Sequence, residues 1–349
     1  MTSLSLWSIF VLEAFPDRAR CAIEGVMKRF FSLLGVFGLQ LILSTSHAAT
    51  WTFAVAGDDR TDVRATQVDP TGIHTEILAK LMQSVSAAKP AFLLFTGDLV
   101  YGDNMRIPQK IAEQFAEWKK LTASNAPGLT ILPVRGNHET NGDPEGVAWL
   151  QAFEPGMTSN NVSYFPGQKG FSYSYIAPDH PETAVIAVDQ YNPAALHKVD
   201  LKGLEASLKE LKAKGVKNIF VFAHEEAFTA GCHPDADNMA AHPTDRDKFL
   251  ELLREYGCEY FFVGHDHFYD WMEIKNWRWP SDYALNQIVA GTAGAPFYPD
   301  KTYFGGHDGY ELVRLDHRQN TYGYLLVTVN DAPKADEKAV SVKFMPLVL

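Results

Sequence analysis

Thr130-Ile131-Leu132-Pro133-Val134-Arg135-Gly136-Asn137-His138-Glu139 decides the fold. A short apolar run closed by glycine reads as a buried strand. The amide, imidazole and carboxylate that follow then stand together at the tip of that strand, where open α/β sheets keep their chemistry. Asn offers a neutral oxygen ligand, and His offers either a nitrogen ligand or a proton. Taken alone, the tetrapeptide Gly136-Asn137-His138-Glu139 is equally well explained as a plain turn.

Four further apolar runs end in residues of the same kind. Residues 51–56 end at Gly57-Asp58, 91–96 at Gly97-Asp98, 218–222 at Ala223-His224, and 259–263 at Gly264-His265-Asp266-His267. Helical patterns separate them. Ile77, Leu78, Leu81, Met82 and Val85 recur at helical spacing within 73–88. A second helix is expected over 108–121, and a third over 199–214, where Leu201, Leu204, Leu208 and Leu211 share a face. A fourth is expected over 244–256 with Thr244 as its cap. Strands are expected at 184–188 and, alternating as if half-exposed, at 171–175. Beyond residue 267 the pattern is mostly β, at 269–274, 286–290, 311–315, 322–329 and 339–344. Strand–helix alternation with continuous apolar strands means an α/β layered fold. No repeat or linker divides it. The expected architecture is one domain over 50–349, a four-layer α-β-β-α sandwich of two packed mixed sheets with flanking helices.

Composition bounds the function. The chain has 349 residues, 46% hydrophobic and 21% charged, with a formal net charge of −11. That acidity argues against a nucleic-acid polymer as partner, since backbone binding needs concentrated Lys and Arg. It leaves a small phosphorylated substrate open, because metal ions can supply local positive charge.

The first 49 residues read as a signal peptide with an upstream extension. Met27-Lys28-Arg29 is a short basic start, 30–43 is an apolar run of signal-core length, and Ser46-His47-Ala48 places small residues where signal peptidase reads. Cleavage is expected after Ala48 or Ala49, and translation is expected to begin at Met27. The other reading of the run is an uncleaved anchor, for which it is short. The mature chain is then periplasmic or secreted, without a stable membrane anchor. Cys21 would be lost, leaving Cys232 and Cys258 either as a disulfide or as two buried thiols.

Each of Asp58, Asp98, Asn137, His138, His224, His265 and His267 has a plain explanation by itself. An Asp after a strand is usually a helix cap, and a lone His a hydrogen-bonded surface residue. All of them behind buried strands argue for one site. The mixed oxygen and nitrogen donors suit iron, manganese or zinc. About six ligands exceed one four-coordinate ion and suit two ions roughly 3.5–4 Å apart, as in phosphoester hydrolysis.

In this order, the motifs Gly57-Asp58, Gly97-Asp98, Gly136-Asn137-His138-Glu139, His224 and Gly264-His265-Asp266-His267 resemble those of the calcineurin-like metallophosphoesterase superfamily. The resemblance runs from about residue 51 to 330. It implies that Asp98 bridges two metals, that Asp58 and His267 hold one ion, and that Asn137, His224 and His265 hold the other. It also implies attack on phosphorus by metal-bound hydroxide, with His138 contacting the phosphoryl oxygen or protonating the leaving group and Glu139 orienting a neighbour.

The first motif departs from the family. Its usual Asp-x-His reads Asp58-Asp59-Arg60, and arginine cannot ligate a metal. Tyr101, three positions after Asp98, stands where purple acid phosphatases carry an iron-binding tyrosine, so it is either a ligand or a ring packed over the site. Arg60 either grips substrate phosphate or forms a salt bridge to Asp59, Asp62 or Asp103. The turn Gly291-Thr292-Ala293-Gly294-Ala295-Pro296 either offers N–H groups to an oxyanion or is a plain turn. Trp271, Trp277, Trp279, Tyr283, Phe297, Tyr298, Tyr303 and Phe304 line a substrate cleft or belong to the core. His233, His242 and His307 are expected to be solvated.

The expected function is dinuclear metal-dependent hydrolysis of phosphomonoesters or phosphodiesters. The alternatives are a phosphodiesterase for cyclic nucleotides or glycerophosphodiesters, and a non-catalytic metal- or phosphate-binding protein on the same fold. The oligomeric state is not legible.

Overall fold

Among the described residues, fourteen strands and five α-helices follow the expected alternation. The structure is a computed structural model that describes residues 50–157, 161–300, 305–334 and 337–349. The signal-like stretch, Cys21, Tyr303 and Phe304 lie outside the described residues, as does the side chain of His307.

The first half runs β1 Thr50–Ala56, α1 Thr75–Ala88, β2 Leu93–Phe95, α2 Ile111–Asn125, β3 Ile131–Pro133, α3 Val147–Phe153, β4 Val162–Tyr164, β5 Tyr173–Ile176 and β6 Thr183–Ala187. The second half runs α4 Leu201–Ala213, β7 Asn218–Phe222, α5 Pro243–Glu255, β8 Tyr260–Val263, β9 Tyr269–Asn276, β10 Leu285–Ala290, β11 Gly305–His307, β12 Tyr310–Arg318, β13 Gly323–Asn330 and β14 Val340–Pro346.

One sheet has five strands in the order β14-β13-β1-β2-β3, and the other has nine in the order β11-β12-β9-β10-β8-β7-β6-β5-β4. Both are mixed. Strands β1, β2 and β3 are parallel, as are β6, β7, β8 and β10, and antiparallel strands extend each sheet. The parallel strands are covered on both faces, which is why β2 and β6 are apolar at nearly every position and fully buried.

The sheets pack through aromatic side chains. Phe53 of β1 meets Phe220 of β7 with ring centroids 4.9 Å apart, and Phe92 meets Tyr175 of β5 at 5.7 Å. Helices α1 and α2 add Leu78, Leu81, Met82, Phe115 and Trp118 to the same core. A second core lies where α4 and α5 turn Leu204, Leu208, Phe249 and Leu253 toward Val221, Phe261 and Val263. This is the layered α/β sandwich that the alternation predicts.

Three local expectations need correction. Helix α5 opens with Pro243 in its first turn, and His242 rather than Thr244 is its N-cap. Proline is pre-set for that position, where its missing N–H has no helical partner to lose. Strand β5 is buried rather than half-exposed. The hydroxyl of Tyr173 crosses to β3 and donates to the Pro133 carbonyl at 2.8 Å, so a polar tip that suggested exposure is satisfied inside. Cys232 and Cys258 do not pair. Cys258 is a buried thiol just after α5, and Cys232 is exposed in the loop before it.

The topology places the carboxyl ends of β1, β2, β3, β7 and β8 at one rim. Backbone bonds join the tips: Asp58 N–H donates to Gly97 O at 3.0 Å, Asp59 N–H to Asp98 O at 3.1 Å and Gly264 N–H to His224 O at 2.9 Å. Among the described residues, no helix is long and apolar enough to cross a membrane.

Candidate metal centre

Close packing of the strand tips sets the site. Three of the candidate ligands, Asp58, Asp98 and His265, have left-handed backbones with φ of 65°, 52° and 69°. Such strain in non-glycine residues concentrates at functional sites. The glycines beside them make room. A Cβ on Gly136 would lie 2.2 Å from Asp98 Oδ1, and one on Gly264 would lie 2.2 Å from Asp58 Oδ2.

The imidazoles are oriented from behind. The ring of His224 makes a 2.7 Å bond from Nδ1 to Thr96 O, His267 one of 2.6 Å from Nδ1 to Pro296 O, and His138 one of 2.8 Å from Nδ1 to Tyr101 O. His265 is turned the other way, with Nε2 bonded to Asp237 O at 3.1 Å. A carbonyl oxygen only accepts, so each of these nitrogens carries the hydrogen. In its neutral form, each ring therefore presents a bare lone pair on the other nitrogen.

Those lone pairs converge. His224 Nε2 lies 3.1 Å from Asn137 Oδ1, 3.1 Å from His265 Nδ1 and 3.5 Å from Asp98 Oδ1. Metal–ligand bonds of about 2.0–2.2 Å set neighbouring ligand atoms about 3–3.5 Å apart. Four acceptors at these separations with no donor among them are what a cation resolves. Beside this group, Asp58, Asp98 and His267 each bring a ligand atom within 4.8 Å of the others. His267 Nε2 is 3.5 Å from Asp58 Oδ1. Asp98 belongs to both groups. The residues therefore fit metal ions of the oxygen- and nitrogen-loving kind.

The electrostatics agree. Burial pushes the His265 and His267 imidazoles well below their ordinary range, which keeps them neutral. Burial and the neighbouring Asp98 charge push Asp58 well up. Asp98 is also penalised by burial, but His224, His138 and Arg60 outweigh that and bring it to about 2. Two buried carboxylates side by side stay ionised only against positive charge.

His138 stands at the edge of the site with Nε2 3.9 Å from Asp98 Oδ2. Burial lowers it to about 4. Glu139 reaches no reacting position. Its carboxylate accepts from the N–H groups of Gly136 at 2.6 Å, Asp98 at 2.9 Å and Val100 at 3.2 Å, tying the β2 and β3 loops together. Burial and Asp98 raise it to about 8. From Tyr101 the structure brings the ring and the carbonyl to the site. The ring lies 4.5 Å from that of His138 and 5.4 Å from the Arg60 guanidinium.

The ion pair of Arg60 is with none of Asp59, Asp62 and Asp103. Arg60 Nε lies 3.5 Å from Asp98 Oδ2, and its Nη2 donates to the Tyr298 hydroxyl at 2.8 Å. Tyr298 in turn stacks on His267 with centroids 4.0 Å apart.

Of the other aromatic candidates, Trp279 and Tyr283 pack in the second core and Trp277 is 83% exposed. Phe297 packs on Tyr322 at 4.4 Å. The turn at 291–296 is a brace: Ala293 N–H donates to Gly57 O and Ala295 N–H to Asp58 O, so these donors are not offered to an oxyanion.

His233 was expected in solvent and is instead part of the site. Its ring stacks on His265 at 3.7 Å, and its Nδ1 is 2.9 Å from Asp266 Oδ1. The only hint in the sequence is the long His- and Asp-rich loop that carries it.

The model of the calcineurin-like phosphoesterase family matches residues 71–269. A purple acid phosphatase from yellow lupin (Lupinus luteus) seeds has a similar structure, with a TM-score of 0.56 at 13% identity over 81% of this chain. The structure of PhoD is similar at TM-score 0.53 and 9% identity, covering 84% of this chain and 68% of that one. The chain spans 50% of the lupin enzyme. At these identities the likeness is one of fold. No curated protein matches the sequence.

Proposed function

Because the chain belongs to the calcineurin-like phosphoesterase family, we propose that it is a metal-dependent hydrolase of small phosphomonoesters or phosphodiesters, with two ion sites that share Asp98. Asn137, His224, His265 and Asp98 would hold one ion, and Asp58, His267 and Asp98 the other. Iron, manganese or zinc bound there would acidify water and neutralise charge on a phosphoryl group. The observation that carries this reading is the convergence of three lone-pair acceptors, Asn137 Oδ1, His265 Nδ1 and Asp98 Oδ1, on His224 Nε2.

The chain's own groups then have distinct tasks. His138, its Nδ1 anchored on Tyr101 O, has Nε2 free to take a proton, and the imidazolium so formed would donate to a phosphoryl oxygen or leaving group. Arg60 offers a charged donor to a phosphate oxygen, since its Nε has no hydrogen-bond partner among the described residues. Glu139 keeps the loops bearing Asp98 and Asn137 in register. Tyr101 as an iron ligand would give a visible charge-transfer band.

The test is turnover of p-nitrophenyl phosphate and bis(p-nitrophenyl) phosphate by protein beginning at Thr50, after chelation and reloading with each metal. Hydrolysis should follow metal. His138→Asn should lower kcat at least tenfold while metal content is unchanged. Metal bound without turnover of either ester class would favour a non-catalytic binding protein. The signal-like run and Ser46-His47-Ala48 support export to the periplasm or medium, which N-terminal sequencing of the mature protein tests.

A further inference from the structure

The two ligand groups differ in one respect. Asn137 Oδ1, His265 Nδ1 and Asp98 Oδ1, which approach His224 Nε2 at 3.1, 3.1 and 3.5 Å, are lone-pair acceptors. In the Asp58, Asp98 and His267 group, a permanent cation already sits on a shared ligand, with Arg60 Nε 3.5 Å from Asp98 Oδ2.

That guanidinium is fixed in place. Arg60 is only 6% exposed. It is tied to the Tyr298 hydroxyl at 2.8 Å and lies over the Tyr101 ring at 5.4 Å. Tyr298 stacks on His267, so the pair forms one wall of this half of the site. Arginine cannot shed its charge to make room for an ion.

Resting on the two-ion reading above, we propose that Arg60 makes the two sites unequal. The Asn137/His224/His265/Asp98 site takes its ion tightly, and the Asp58/Asp98/His267 site takes a second ion only weakly, with the guanidinium serving as the resident positive charge until it does. A like charge within a few ångströms of a divalent ion in a buried site weakens its binding by about a hundredfold or more.

The experiment is a manganese titration of metal-free protein beginning at Thr50, read by bound ion in equilibrium dialysis with plasma mass spectrometry. Wild type should bind one Mn²⁺ and then a second at least about a hundredfold more weakly. Arg60→Met should tighten the second event at least about tenfold and change the first, which shares Asp98, by much less, whereas Arg60→Lys, which keeps the charge, should leave the second weak. Two equally tight ions in wild type would overturn the proposal, and so would an Arg60→Met second site no tighter than wild type. If Arg60→Met does not fold, as judged by near-ultraviolet circular dichroism, the wild-type titration still decides. Unequal sites without turnover of either ester would count against the phosphoesterase reading alone. Equal sites with turnover would count against the role of Arg60 alone.

Discussion

His224 Nε2 and His265 Nδ1 face each other across 3.1 Å, while the far nitrogen of each ring is bonded to a carbonyl, Thr96 O and Asp237 O respectively. In their neutral forms, two rings held this way direct lone pair at lone pair, a repulsion within a buried setting. An ion that binds the folded chain removes it and stabilises by mass action, about 2.7 kcal/mol at a free concentration one hundred times Kd. Added Zn²⁺ or Mn²⁺ should therefore raise the melting temperature by several degrees, and a chelator should reverse it. His224→Ala should abolish the shift, as differential scanning fluorimetry will read.

Glu139 acts on the site through the backbone. Its carboxylate holds three buried N–H groups, those of Gly136, Asp98 and Val100. Glu139→Ala would leave them unpaired at about 1–3 kcal/mol each before relaxation. We expect a lower urea midpoint together with weaker metal retention. Glu139→Gln should recover part of both, because its amide oxygen can still accept.

Arg135 and Asp189 join the β3 tip to the end of β6 by a buried bidentate pair, with both bonds at 2.8 Å. Removing one partner leaves the other charge stranded, at a cost of about 3–5 kcal/mol. Asp189→Ala should therefore be far more destabilising than a surface substitution. The double variant Arg135→Met/Asp189→Leu should lie closer to wild type than either single change, a double-mutant cycle measurable by urea unfolding.

The two cysteines should react differently. Burial pushes the Cys258 thiol up to about 12, and Cys232 is exposed. Near pH 8 a thiol reagent should label Cys232 alone in native protein beginning at Thr50, and both cysteines after unfolding. Cys232→Ser should remove native labelling at that pH. Labelling of Cys258 should stay slow until the pH nears its raised value, because the thiolate is the reacting form.

Much of this was legible in the sequence because the signals are local. A short apolar run followed by glycine and a polar head marks a strand tip, and the tips of β1, β2, β3, β7 and β8 gather at one rim by topology alone. What escaped depends on contacts across the fold. The acidic neighbours of Arg60 in the sequence are Asp59 and Asp62, yet its partner is Asp98, because β2 lies beside β1 in the sheet. His233 reaches His265 through the course of a long loop, which residue spacing does not specify. Among the aromatic candidates in the described residues, only Tyr298 stacks on a candidate ligand, because composition marks aromatic residues but not where the fold places them.

The central claim is that these gathered ligands form a metal centre that hydrolyses phosphate esters. Its most direct test measures bound metal and p-nitrophenol release on the same samples while Mn²⁺ or Zn²⁺ is titrated into chelator-stripped protein, alongside Asp98→Asn. Turnover of the mono- or the diester should rise in step with bound ion and be lost in Asp98→Asn. Turnover that persists in stripped protein, or that Asp98→Asn leaves intact, would contradict it.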